Sequence, residues 1–418
     1  MTTATPPPIE TAPGAPAVAA PGGESLRDYV QRWWAGIRQG DLGSLTIVIG
    51  LIIIAIVFQS QNSNFLTAGN FVNLIVQAAA ITCIAMGIVF VLLLGEIDLS
   101  VGYVSGVAGV IVALLTFPDG HNQFATVPTL IVAIGAGVAI GLLQGTIITK
   151  LGVPSFVVTL AGLLGWNGVV LLLIGDRGTV IIQNSFFEGF ANNFLAEATA
   201  WIVAAAGVAV YAGVLLWQRY QRTKAGLAHA PDTLLVLRVA SLAIAVFAVV
   251  YVANQDRGIP YVFLMLAGLY IVLTYVLNRS RFGRHVYAVG GNTEAARRAG
   301  INVDRVKIAC FAICSGMAAL GGIILASRLR SVDTNSGGGS ILLYSIAAAV
   351  IGGTSLFGGR GNVKSAILGA LVIASIDNGL GLLGLSSGTK FVVTGLVLLA
   401  AVVVDSLSRR GRESAGRA

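Results

Sequence analysis

Long apolar runs, interrupted by short polar or glycine-rich stretches, recur from position 44 to position 405. Twelve of them predict membrane-spanning helices: 44–58, 71–94, 101–116, 127–149, 153–174, 199–217, 233–252, 261–278, 306–326, 340–357, 363–384 and 389–405. About 20 apolar residues rising 1.5 Å each cross a hydrocarbon layer of about 30 Å, the basis of that reading. Residues 1–23 carry no such run and are rich in Pro, Ala and Thr, so they read as a disordered tail and not as a signal peptide. Between 24 and 40, Arg27, Asp28, Arg32 and Arg38 alternate with Tyr29, Trp33 and Trp34, which suits a juxtamembrane helix at headgroup level. A transmembrane domain over 41–408 and a short cytoplasmic tail over 409–418 complete the expected organisation.

Composition agrees with a lipid solvent. Of 418 residues 56% are hydrophobic and only 11% charged, where soluble domains carry about 25% charged residues. The expected fold class is therefore all-α, a polytopic helical bundle. The 53 glycines fit close helix approach in a membrane, as in the runs GAGVAIGLLQG and AGLLGWNG.

The net charge of +8 is a topology signal and not a nucleic-acid footprint. Threading twelve spans with the amino terminus inside leaves five basic residues outside, Arg177, Arg257, Arg328, Arg330 and Lys390, and the other 21 of 26 inside. That asymmetry needs an even number of spans and places both termini in the cytoplasm.

Enzymatic chemistry finds no foothold. Cys83, Cys310 and Cys314 lie in apolar runs and suit packing, while His121, His229 and His285 are scattered in expected loops. No metal site, cofactor site, HExxH, or Ser with a nearby His base is present in any span.

Three segments carry information beyond topology. The first, Leu94-Gly-Glu-Ile-Asp-Leu-Ser-Val-Gly102, puts Glu96 and Asp98 between two apolar runs. Acids are costly beside lipid, so they should face protein or water, and the glycines let the chain break where Asp98 and Ser100 could cap the next helix. Two readings stay open: a helix end with an Asp cap, or a wall of a translocation path. The second is the loop 281–305, in which Asn292 caps a short helix holding Glu294, Ala295, Ala296, Arg297 and Arg298, with Gly300 as its stop. So short a helix is unstable alone, so it should dock on a partner surface. The third, Ile351-Gly-Gly-Thr-Ser-Leu-Phe-Gly-Gly-Arg-Gly-Asn-Val-Lys364, lacks the GK[ST] ending of a phosphate loop and reads as a tight turn with close helix contact.

From about Asn70 to Asp405 these segments, in this order, resemble the branch of ABC importer permeases that serves ribose, xylose and related sugars. The resemblance implies a cytoplasmic coupling loop over 279–305. Gly290, Gly291, Asn292, Glu294, Ala295, Ala296, Arg297, Gly300 and Ile301 would engage the ATPase. It implies further partners: an ABC ATPase with two nucleotide-binding domains, an extracytoplasmic sugar-binding protein and a second permease copy. It implies no catalysis and no cofactor in this chain, which would sit in the inner membrane.

Two departures stand out. Many members of that branch carry Gly where Glu96 stands, and ribose-type members have ten spans, so the pair over 199–252 looks inserted, as in the xylose branch. Candidates to line a translocation path are Asn73, Gln77, Glu96, Asp98, Ser100, Gln144, Asn167, Asp377 and Asn378. An ion-coupled secondary transporter is the alternative, and it would need a buried ion site but no docking loop.

Overall fold

In a computed structural model the described residues are 31, 45–118, 125–227 and 231–414. The expected tail over 1–23, the juxtamembrane segment apart from position 31, His121 and His229 lie outside them, as do residues 415–418.

Every one of the twelve expected spans coincides with a helix. In chain order these are α1 (Leu45–Gln61), α2 (Ala68–Leu93), α3 (Val101–Leu115), α4 (Thr126–Lys150) and α5 (Ser155–Ile174). After a short α6 (Ser185–Asn192) come α7 (Glu197–Lys224), α8 (Asp232–Asn254) and α9 (Tyr261–Arg279). Two short helices follow, α10 (Arg281–Gly291) and α11 (Thr293–Arg298), and then α12 (Val303–Leu329), α13 (Ile341–Ile351), α14 (Val363–Leu382) and α15 (Ser387–Ser414). Among the described residues, 8 of these are long and apolar enough to cross a membrane: α2, α4, α5, α7, α8, α9, α12 and α14. The chain is an all-α polytopic membrane protein, with one addition that the apolar pattern did not signal. A two-stranded ribbon pairs β1 (Thr179–Ile181) with β2 (Ser331–Asp333), Val180 opposite Val332.

The chain divides into two compact units. In one, covering 201–248, α7 and α8 form a helical hairpin with Trp201 against Phe247 at 5.9 Å and Arg219 paired with Asp232 at 2.8 Å. The other, 42–200 and 249–418, is built around α2 and α12. Helix α2 is apolar on all sides and buried almost throughout, the pattern of a helix with no face left for solvent.

Small residues decide which helices touch α12. Gly137, Gly141 and Gly145 recur every fourth residue along α4. A Cβ added at Gly137 would stand 2.6 Å from the Cβ of Ala319, and one at Gly145 2.8 Å from the Cα of Ile308. The run GAGVAIGLLQG thus does what small residues do in membranes, bringing two backbones into van der Waals contact. In the run AGLLGWNG only Gly162 makes a close approach, where an added Cβ would stand 3.2 Å from the Ser100 Cβ, while one at Gly165 or Gly168 would meet no atom within 4 Å.

One helix is much shorter than its apolar run implied. Instead of filling 340–357, α13 holds 11 residues, about 16 Å at 1.5 Å per residue, roughly half the hydrocarbon thickness. Its amino end is reached by a turn that enters the bundle: an added Cβ at Gly102 would lie 2.7 Å from the Gly337 carbonyl oxygen and 3.2 Å from the Cβ of Leu342. Helix α3 starts at the same place, so the amino ends of these two short helices abut inside the bundle. Non-helical backbone is tolerated there because protein surrounds it.

Candidate functional site

At one end of the larger unit the three glycine-bearing segments converge. Ser280 caps α10 by accepting from the Gly283 N–H at 3.0 Å. Asn292 then ends α10 and caps α11, its Oδ1 accepting from the Ala295 N–H at 2.9 Å. Gly300, at φ 82°, stops α11, and Asn302 caps α12 through the Arg305 N–H at 3.0 Å. The expected cap, helix and stop are all present.

Helix α11 projects from the bundle. Glu294, Ala295 and Arg297 are exposed, Ala296 is buried beneath them and Ile301 is half-buried. Glu294 pairs with Arg297 at 3.0 Å and with Arg298 at 3.4 Å, contacts that hold the exposed turn together. Gly291 is exposed, whereas Gly290 is in contact with the rest of the junction. A Cβ at Gly290 would run into the Leu93 carbonyl oxygen and stand 2.9 Å from the Gly359 nitrogen. Gly358, at φ 83°, lies against both Gly290 and Gly95, where an added Cβ would come within 2.9 Å of each. Only glycine supplies that backbone conformation and that proximity together.

Side chains lock the same junction. The Tyr287 hydroxyl donates to the Gly361 carbonyl at 2.8 Å, and burial pushes its phenol above the ordinary range, so it remains the donor. Lys307 at the start of α12 forms an ion pair with Glu96, and Lys150 pairs with Asp304 at 2.7 Å. Glu96 thereby braces the α2–α3 loop against α12.

Asp98 and Ser100 sit deeper. Oδ1 of Asp98 accepts from both the backbone N–H and the hydroxyl of Ser100, at 2.9 and 2.7 Å. Ser100 occupies the N-cap position of α3 but its side chain makes no cap bond, being shared between Asp98 and the Gln144 amide. Oδ2 of Asp98 has no partner among the described residues, and neither has the indole N–H of Trp166 beside Gln144 and Ser100. Asp98 is 3% exposed and packs near Cys314 within the core. Asn167 is half-buried on α5.

Toward the other end of α2 lies a cavity of about 280 Å³ lined by Asn73, Gln77, Asn192, Phe194, Arg257 and Arg328. Gln77 accepts from the Asn378 amide at 3.4 Å, and Asn378 exchanges two amide hydrogen bonds with Asn70, each 2.9 Å. Asp377, half-buried, acts on the charge of Arg328. The structure thus puts Asn73 and Gln77 on the cavity lining, with Asn378 bonded behind Gln77, and separates them from Glu96, Asp98 and Ser100. Asn70, Asn192, Phe194, Arg257 and Arg328 were missed as site residues. Arg257 and Arg328 gave a signal, as two of the few basic residues expected outside, but it was read only as topology.

Comparison with known proteins follows the same division of the chain. The model of the family described as "Branched-chain amino acid transport system / permease component" matches residues 70–402, from the Asn70 pair to the last helix. The xylose transport system permease protein of Escherichia coli K12 is 37% identical over 381 residues, 90% of this chain and 95% of its own. Its counterpart in Haemophilus influenzae is 36% identical over 88% of this chain and 98% of its own. The ribose import permease protein of Escherichia coli K12 is 29% identical over 86% and 92%. No solved structure matches.

Proposed function

This chain belongs to the family of branched-chain amino acid transport system permease components, and we propose that its own cargo is a monosaccharide, xylose or a similar pentose or hexose. In this reading ATP is hydrolysed on partner chains, and the permease performs no covalent chemistry. It crosses the plasma membrane twelve times with both termini cytoplasmic, α3 and α13 counting as crossings only together with the loops that complete them. Two copies pair around the path, an extracytoplasmic sugar-binding protein delivers cargo, and two nucleotide-binding domains receive the coupling loops. The hairpin of α7 and α8 is an insertion that sets this chain apart from ribose-type members.

One observation carries the reading: an exposed helix too short to stand alone is rooted by Gly290 directly on the backbone of the loops that end α2 and α13. A push on Glu294, Ala295 and Arg297 is therefore passed to the main chain at Leu93 and Gly359, with no flexible side chain between. ATP-driven closure of the partner domains would bias the bundle between inward- and outward-open states through this contact. The substrate assignment is supported by the names of the relatives, two of them xylose and one ribose permeases.

The test is reconstitution. The chain is placed in vesicles with its ATPase and binding protein, and labelled D-xylose, D-ribose and L-leucine are offered in turn. ATP-dependent uptake of a sugar is expected. Uptake of leucine alone would overturn the sugar assignment, and sugar uptake driven by an ion gradient without nucleotide would replace the importer with a secondary transporter.

A further inference from the structure

We propose that the cavity between Asn73, Gln77, Asn192, Phe194, Arg257 and Arg328 is a transient monosaccharide site, where cargo pauses on its way into the bundle. The inference rests on the sugar-importer reading above and adds to it a place and a set of contacts.

Size is the first argument. A volume of about 280 Å³ holds about nine waters at ~30 Å³ each. A pentose displaces fewer waters than that, so one sugar ring enters the space with room left for several bridging waters.

The second argument is how the amides are held. Asn73 spends its carbonyl oxygen on the Arg257 guanidinium, so its NH2 group is left for a ligand. Gln77 likewise accepts from Asn378 and keeps its NH2 group free. Asn192 is turned the other way: its NH2 donates to the carbonyls of Glu188 and Ser327, at 2.9 and 2.7 Å, which leaves its carbonyl oxygen. The cavity therefore offers two amide donors and one amide acceptor, each fixed by bonds to the scaffold. Guanidinium donors of Arg257 and Arg328 stand beside them.

Hydroxyl groups, which accept and donate at once, satisfy such a mixed set, and an apolar amino-acid side chain satisfies none of it. Phe194 supplies an apolar edge next to the polar groups. Its ring is pinned by Arg257, whose guanidinium carbon lies 4.9 Å from the ring centre, and by the backbone bridge from Phe194 to Pro260. Arg257 is itself held at 2.9 Å by Asp256. Few of these groups need to reorganise when cargo arrives, so little binding free energy is lost in ordering them.

The site also touches the machinery. Gln77 is bonded to Asn378 on α14, and Asn378 to Asn70 at the start of α2. A sugar that draws on Gln77 acts on the pair that ties these two helices together.

The experiment uses the complete transporter in vesicles, with the D-xylose taken up per ATP hydrolysed as the readout. Gln77→Glu keeps the shape and the bond from Asn378 but removes the NH2 donor, and Arg257→Met removes the guanidinium beside it. Each is expected to lower sugar uptake per ATP by about tenfold, as one lost hydrogen bond to a bound hydroxyl would do. Wild-type uptake per ATP in both variants would overturn the site and leave the importer reading standing. Failure of the unaltered transporter to move any monosaccharide with ATP would sink both.

Discussion

The backbone N–H of Gly359 donates to the carbonyl of Leu93 at 2.9 Å, joining the loop after α13 to the last residue of α2. Gly290 closes over this bond, so three parts of the chain far apart in sequence meet through main-chain atoms alone. Contacts of this kind transmit displacement without the slack of long side chains.

Substituting Gly290→Ala tests that arrangement. Its Cβ cannot be placed without moving Leu93 or Gly359, and forced overpacking costs about 1–3 kcal/mol. The expected outcome is a lower unfolding temperature in detergent, together with loss of sugar-stimulated ATP hydrolysis. Gly268→Ala on α9, where an added Cβ meets nothing within 4 Å, should change neither.

The Glu96–Lys307 pair makes a second prediction. Its side chains are only 17% and 20% exposed, so removing one partner strands a charge that solvent reaches poorly. Glu96→Gln and Lys307→Met should each lower stability by about 1–3 kcal/mol, and the double variant should cost less than the two together. Additive losses in thermal unfolding would show that the pair is not a coupled brace.

Much of this structure was legible beforehand, and the reasons differ by element. All twelve apolar runs became helices because lipid leaves a spanning backbone no other way to satisfy its hydrogen bonds. The cap at Asn292 and the stop at Gly300 were readable because both are local: a side-chain oxygen within three residues, and a backbone at positive φ. The start of α13 was legible to within one residue, but its span was drawn too long at the other end, where Gly352 caps the helix and Gly353 turns the chain at φ 103° although apolar residues recur as far as Phe357. The cavity was legible in part. Asn73 and Gln77 stood out as polar residues in an apolar run, but Asn192, Phe194 and Arg257 come from connecting segments, and no local pattern brings them to α2.

The Asn70–Asn378 pair predicts an asymmetry between single and double replacement. Asn378→Leu leaves a buried amide on Asn70 without its partner and should cost about 1–3 kcal/mol. Replacing both by leucine removes the unpaired group along with the bond, so the double variant should recover part of the loss. Unfolding temperatures in one detergent check the order; a double variant less stable than either single one would contradict it.

Asp98 separates stability from transport. Its Oδ1 satisfies two donors of Ser100, while Oδ2 is buried without a hydrogen bond among the described residues, and a buried carboxylate in that state is costly if charged. Asp98→Asn keeps the acceptor and removes the charge, so it should be neutral or stabilising in thermal unfolding. Asp98→Ala strands the Ser100 donors and should lose about 1–3 kcal/mol while still reaching the membrane. A part for Asp98 in translocation requires its carboxylate to meet water or cargo at another stage of the transport cycle. Asp98→Asn should then assemble normally yet import sugar more slowly than the unaltered chain. Full-rate uptake by that variant would reduce Asp98 to a helix-start residue with no part in translocation.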